Sequence, residues 1–302
     1  MLHPFKDAGP PKKMTNASVP ISFLQPTNLR ISTMVATANF STQIDLISLF
    51  QQIHAKLIPL GYPGEGILKM EHRDKMVGTS SKDAFTNRKI SNKTFFNQST
   101  IIMRRALETG PGFKEVNIKI FANGGIQMTG IPSTTMAQAS LQSLIQDIKA
   151  LPTNPFKGEP VISKFSIQLV NSDYTIRFPV KRDDLHTLLT REYSLFSTNE
   201  STIYQGVNTK YYFNKKYAHL EPKGVCHCTD TICTGQGNGE EHGQCKRVTL
   251  SVFQTGKIII TGARHMDQIM EVYHYFNDIL VKHARDILRI PDEELAKLNA
   301  EK

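Results

Sequence analysis

An internal repeat constrains this chain more than any other feature. Ile120-Phe-Ala-Asn-Gly-Gly-Ile-Gln-Met-Thr-Gly130 and Val252-Phe-Gln-Thr-Gly-Lys-Ile-Ile-Ile-Thr-Gly262 share one pattern at an offset of 132: apolar, Phe, two residues, Gly, four residues, Thr-Gly. Such self-similarity restricts the fold to two copies of one supersecondary unit. Each stretch reads as a strand, a tight turn at Asn123-Gly124 or Thr255-Gly256, and a second strand. A helix is predicted after each. Ser133 can cap one with Met136, Ala137, Leu141, Leu144, Ile145 and Ile148 on one face, and Ile269, Val272, Phe276, Ile279 and Leu280 mark the other.

Upstream, alternation over Ile31 to Asn39 and Ile162 to Val170 predicts a strand opening each half, followed by a helix. Thr42 with Asp45 resembles a capping box for Leu46, Phe50, Ile53 and Leu57; Asp183 can start the counterpart, with Leu185, Leu188, Leu189 and Phe196 inward. Phe96 to Met103 and Tyr204 to Tyr211 supply a third strand pair. The offsets are 136 (Thr33 to Leu169), 108 (Phe96 to Tyr204) and 132 (Phe121 to Phe253), which gives the first half 28 extra residues before Phe96 and the second 24 after Tyr204. The expected organisation is a flexible Pro-rich arm 1–28, a first repeat 29–155 with an insertion at about 73–94, a second repeat 156–290 with an insertion at about 214–246, and a tail 291–302.

Charge narrows the function classes. The chain carries a net charge of +9, and Arg73, Lys75, Lys82, Arg88, Lys89, Lys93, Arg104 and Arg105 face only Asp74 and Asp83 in their stretch. Concentrated positive charge points to a polyanion, most often nucleic acid; a solvated basic loop is the alternative. No apolar run approaches the roughly 18 residues of a membrane span, and Met1 to Met14 lacks a signal-peptide stretch, so no membrane and an intracellular location are expected. There is no phosphate-cradling Gly-Lys-Ser/Thr motif, and His72, His186, His265, His274 and His283 show no metal spacing, so the expectation is not an enzyme.

Several segments resemble the TATA-binding protein family: Phe165-Ser-Ile-Gln-Leu-Val170 with Ile176-Arg-Phe-Pro-Val180, Val252 to Ala263, and Val35-Ala-Thr-Ala-Asn39 with Ile44-Asp-Leu46. The resemblance covers roughly Leu29 to Ile290. The insertions and Arg30-Ile-Ser-Thr-Met-Val-Ala36 look most like the divergent TATA-binding-protein-like proteins of large DNA viruses. The resemblance implies an α+β fold, a tandem duplicated saddle whose curved antiparallel sheet carries helices on its convex face. It also implies a transcription initiation factor, a monomer on DNA in the nucleus or at a cytoplasmic viral replication site. That factor would bind and bend double-stranded DNA through the minor groove and recruit a transcription factor or RNA polymerase subunits.

Residue by residue, Phe121 and Phe253 match one groove-opening wedge in each half; Tyr204 falls on a second, with Phe96 its counterpart. Ordinary core aromatics are the alternative reading. Thr129 and Thr261 match hydroxyls on the groove floor, beside Val35, Gln127 and Ile259. Where the family has an Asn opening each half, this chain has Thr33 and Leu169. Leu cannot donate, so the paired readout is lost or moved to Asn39 or Asn171. That removes the basis for strict TATA preference and leaves A·T preference through deformability. Arg104, Arg105, Lys210 and Lys257 are the candidates for phosphate contact.

All four cysteines lie close together: Cys226, Cys228, Cys233 and Cys245, spaced C-x-C-x4-C-x11-C, with His227 and His242 as alternates. Four thiolates can close a tetrahedral structural zinc site; local disulfides or free thiols are the alternatives. In the family a short stirrup joins these strands and contacts a general transcription factor, so a metal-clamped insertion is expected to change the partner or extend the DNA contact. A second function class stays open, a saddle-shaped interaction module that docks a polymerase or factor without sequence-specific DNA binding.

Overall fold

The computed structural model describes residues 25–86, 96–229 and 233–289. The arm to Leu24, the basic residues Arg88, Lys89 and Lys93, and the tail from residue 290 lie outside the described residues. The chain divides into two compact units, Ile31–Asn171 and Ser172 onward, the latter joined by the residues up to Arg30.

The first unit contains β1 (Arg30–Asn39), α1 (Leu46–Gln52), β2 (Gly66–His72), β3 (Lys75–Gly78), α2 (Ser81–Phe85), β4 (Gln98–Ala106), β5 (Phe113–Phe121), β6 (Gly125–Ile131) and α3 (Thr134–Lys149). Its strands lie in the order β3-β2-β4-β5-β6-β1, paired antiparallel. The chain leaves it within β7 (Ser163–Thr175). The second unit continues with α4 (Arg182–Arg191), β8 (Phe196–Thr198), β9 (Gly206–Phe213), β10 (Lys246–Phe253), β11 (Lys257–Ala263), α5 (Met266–Lys282) and α6 (Ala284–Ile287). Its order β8-β9-β10-β11 is again antiparallel and corresponds to β2-β4-β5-β6. An antiparallel α+β arrangement is therefore built twice.

The ladders carry the offsets read from the sequence. Gln98 pairs with Phe121 and Arg104 with Glu115; adding 108 to the first member and 132 to the second gives Gly206 with Phe253 and Tyr212 with Arg247, which are pairs in the other unit. The hairpin turns repeat as well. Phe40 N donates to Gly124 O and Ile176 N to Gly256 O, tying the end of each opening strand to the turn. Gly124 and Gly256 have φ of +81° and +83°, and a Cβ there would lie 2.1 Å from Thr42 O and 2.5 Å from Ile176 O, so only glycine fits.

Period-two alternation sorts the two faces of each sheet. On β1, Met34, Ala36 and Ala38 are buried while Thr33, Val35, Thr37 and Asn39 are half-buried on the other face. On β10 and β11, Val248, Leu250, Val252, Ile258 and Ile260 are buried. The buried faces meet the helices. Ser133 caps α3 by accepting from Met136 N, and Met136, Ala137, Leu141, Leu144 and Ile148 are inward; in α5 all five expected apolar residues are.

Two helix starts differ from expectation. Asp45, rather than Thr42, is the N-cap of α1, its carboxylate accepting from Ile47 N and Ser48 N at 3.0 Å. This phase turns Leu46, Leu49 and Ile53 inward and leaves Phe50 and Leu57 half-buried. Phe196 lies beyond α4 on β8 and is 63% exposed. The end of the predicted arm is also pinned: Thr27 N donates to Thr175 O at 2.8 Å and Tyr273 Oη to Thr27 O at 3.0 Å.

Candidate nucleic-acid interface and metal centre

The helix-free face of each sheet carries the groove-floor and wedge candidates. In the first unit Val35, Thr129 and Asn117 form one cross-strand row, and Thr37, Gln127, Lys119 and Thr100 the next. In the second unit Thr261, Thr249 and Lys210 form a row beside Ile259, Ser251 and Asn208. Thr129 and Thr261 thus occupy matching places, as do Gln127 and Ile259. Leu169 is half-buried on β7.

The aromatic candidates lie outside the helix-packed core. Phe121 and Phe253 are half-buried, each one residue past a fully buried Ile120 or Val252 and so on the opposite face. Tyr204 is exposed, with its ring centroid 5.6 Å from that of Phe253. Gly206 allows this approach, since a Cβ there would sit 3.0 Å from the Tyr204 ring and 3.4 Å from that of Phe253. In the first unit Gln98 takes the matching position, and Phe96, 71% exposed, instead stacks under Arg73, whose guanidinium carbon is 5.3 Å from the ring centroid.

Several polar atoms on these strands have no partner among the described residues. Thr33 Oγ1, Asn117 Oδ1 and Asn171 Oδ1 are shielded yet make no hydrogen bond. Such orphans cost free energy unless a ligand or water meets them. Asn39, by contrast, is engaged: its Oδ1 accepts from Ser41 N at 2.6 Å.

The phosphate candidates divide. Arg104 is only 8% exposed: its Nε donates to Gly64 O at 3.0 Å, Nη1 to Leu60 O at 2.7 Å and Nη2 to Tyr62 O, with its guanidinium carbon 5.0 Å from the centroid of the Phe113 ring. Its donors are consumed inside the protein, which corrects the expectation of a phosphate contact. Arg105 is mostly covered and pairs with Glu65 at 3.1 Å. Lys257 is exposed, 3.9 Å from Asp173. Lys210 donates to Thr249 Oγ1 at 3.0 Å; burial, and then the Arg247 guanidinium, hold its pKa below the usual lysine value. A nearby anion would offset both by favouring the charged form. Lys119 and Arg247 were not singled out from the sequence, although they share the face of Phe121 and Phe253 at spacings of two and six. Even spacing along the strand was the available signal.

The four cysteines converge. Their Sγ atoms all lie within 4.8 Å of one another, with Cys226 to Cys245 at 3.8 Å and Cys228 to Cys245 at 3.6 Å. Zn–S bonds of about 2.3 Å in a tetrahedron require S···S edges of about 3.8 Å, so the donor set fits zinc. Gly243 N donates to Cys228 Sγ at 3.1 Å and Asn214 Nδ2 to Cys245 Sγ at 3.4 Å. Burial pushes the Cys226 and Cys245 thiols up; at Cys233 burial acts the same way, but the backbone amides of Gly235 and Cys245 together with the Cys245 and Cys226 thiols outweigh it and bring the thiol down. The alternates are engaged elsewhere, His227 Nε2 with Pro222 O at 3.1 Å and His242 Nδ1 with Tyr217 Oη at 2.5 Å. The insertion is docked on its own unit. Gln268 Nε2 donates to Asn238 O at 3.0 Å, and Lys215 bridges Glu240 and Asp267.

A family model described as transcription factor TFIID, or TATA-binding protein, matches residues 243–283, which include β10, β11 and α5. A TATA-box-binding protein-like protein of Acanthamoeba polyphaga mimivirus is 28% identical over 286 residues, covering 89% of this chain and 69% of the relative. Among solved structures, the TATA-binding protein of Methanococcus jannaschii aligns over 85% of this chain and 99% of its own, at 15% identity and a TM-score of 0.43. The sequence matches and the doubled topology agree: the chain resembles the TATA-binding protein family. Among the described residues no helix is long and apolar enough to cross a membrane.

Proposed function

We propose that this chain is a TATA-binding-protein-like transcription initiation factor, not an enzyme, that binds duplex DNA as a monomer through the minor groove, bends it and recruits a transcription factor or RNA polymerase subunits. The observation that carries the reading is the matched pair of helix-free faces, each with a Thr on the floor and an aromatic at the strand end: Thr129 with Phe121, Thr261 with Phe253. Side-chain wedges of this kind unstack base steps, while branched and small residues tolerate the widened groove. The orphaned Thr33 hydroxyl could donate to a minor-groove acceptor of an A·T pair, whereas the orphaned Asn117 and Asn171 oxygens would need a donor, a bridging water or a guanine amino group. Lys257, Lys210, Lys119 and Arg247 supply phosphate contacts in place of Arg104. The site of action is where the genome is transcribed, the nucleus or a viral replication site in the cytoplasm.

The cysteine cluster holds structural zinc in this reading. Four Cys leave no open position, so the ion would clamp the insertion rather than activate water.

Selection of bound sequences from random duplexes at defined salt tests the proposal. A·T-rich sites are expected, with log K falling against log[salt] by about 0.9 per phosphate contacted. Phe121→Ala with Phe253→Ala should lower the bend angle and weaken binding by about tenfold or more. No duplex binding even at low salt would favour the interaction-module reading. Thr33 and Leu169, at the two floor positions where the family has Asn, motivate that reading.

A further inference from the structure

Away from the helix-free face, the second unit encloses a cavity of about 270 Å3 between β9, the cysteine-bearing insertion and α5. Tyr211 comes from β9, Tyr217 from the insertion and Tyr275 from α5, and Glu271 and Asp278 flank Tyr275 on the same helix. The Tyr211 and Tyr275 ring centroids are 5.3 Å apart and tilted by 59°.

All three phenols are already committed. Tyr211 Oη donates to Glu271 Oε1 at 2.5 Å, Tyr217 Oη bonds His242 Nδ1 at 2.5 Å, and Tyr275 Oη donates to Lys223 O at 3.3 Å. Tyr211 is almost fully buried, so the ring surface open to a ligand is that of the half-buried Tyr217 and Tyr275. The two carboxylates make no ion pair among the described residues, whereas Asp83, Glu240 and Asp267 all do. Against them stands one ammonium, that of Lys223, in the wall. Within a chain of net charge +9, this concavity combines electron-rich rings with unneutralised negative charge. An anion would meet the carboxylates.

We infer that this cavity binds an organic cation, an alkylammonium or guanidinium head. Ring faces attract such a charge through their quadrupole, and the carboxylates add direct attraction where water is partly excluded. The volume lies below the about 300–1,000 Å3 of drug-sized sites, so the occupant is a head and its stem and not a whole nucleotide. A small quaternary amine and a Lys or Arg side chain of a partner protein share this chemistry.

The full chain, labelled with 13C in its tyrosine rings, is titrated at constant ionic strength with choline, with Nα-acetyl-lysine methylamide, with Nα-acetyl-arginine methylamide and with 3,3-dimethylbutan-1-ol, the neutral carbon analogue of choline. At least one cation should give saturable ring shifts, with the alcohol at least about fivefold weaker. Glu271→Gln with Asp278→Asn should weaken the cation by about tenfold and leave the alcohol unchanged. Strongest binding of choline identifies a small molecule as the source, and strongest binding of a blocked amino acid identifies a protein side chain. Absence of saturation with all three cations, equal binding of the alcohol, or indifference to the double substitution would overturn the inference. Asp278→Asn alone, at an exposed position, keeps the test open if the double variant folds poorly.

Discussion

Replacing Arg104 by Ala separates a structural arginine from a phosphate-binding one. The side chain lies in β4, and its fork closes on three carbonyls of the segment leading into β2, those of Leu60, Tyr62 and Gly64, while its plane covers Phe113. Truncation removes three charge-assisted hydrogen bonds. Each is worth about 1 kcal/mol net here, because the half-exposed loop carbonyls can turn to water, and the ring contact adds about 0.5–1 kcal/mol. The sum is a destabilisation of about 3–4 kcal/mol, to be measured by urea unfolding of the full chain. Arg104→Lys keeps the charge but cannot span three acceptors, so it should recover less than half of the loss. In DNA titrations across a salt series, neither variant should alter the salt slope when measured below its unfolding range. A loss of stability under about 1 kcal/mol together with a slope reduced by about 0.9 would refute this reasoning and return Arg104 to the phosphates.

The hairpin turns give a second expectation: Gly256→Ala forces a Cβ against Ile176 O and Phe178 O at positive φ, and should cost more than about 2 kcal/mol in a thermal or urea melt. The corresponding Gly124→Ala should behave alike. If the cysteine cluster holds zinc, elemental analysis should find one ion per chain, and chelation or Cys245→Ser should lower the melting temperature and expose Asn214 and residues 233–245 to hydrogen exchange. At Asp83, burial pushes the carboxyl up, but hydrogen bonds from Lys69 and Ser80 and the lysine charge outweigh it and hold the pKa at about 2. A depressed carboxylate contributes stability that is complete above its unfolded value near 4 and is lost as pH falls through about 2. Asp83→Asn should therefore destabilise the chain at pH 6 and flatten its acid denaturation between pH 4 and 2.

The sequence by itself determined the doubling, the hairpins and which face of each strand meets the helices. These are legible because turn chemistry and period-two alternation are local: Asn123-Gly124 and Thr255-Gly256 must turn, and Met34, Ala36 and Ala38 must share a side whatever lies above them. The offsets of 108 and 132 then carried over into the ladder register, as Gln98 with Phe121 and Gly206 with Phe253 show. The four cysteines were legible as a group, since all of them sit within one insertion. Only the tertiary structure decided how the charges are used. Arg104 and Lys119 look equivalent along the chain, yet one is consumed by carbonyls 40 to 44 residues away and the other lies among the floor residues. The tyrosine cavity was invisible for the same reason. Tyr211, Tyr217 and Tyr275 come from three separate elements, and packing and long-range electrostatics depend on which distant segments meet, a property that no window of sequence contains.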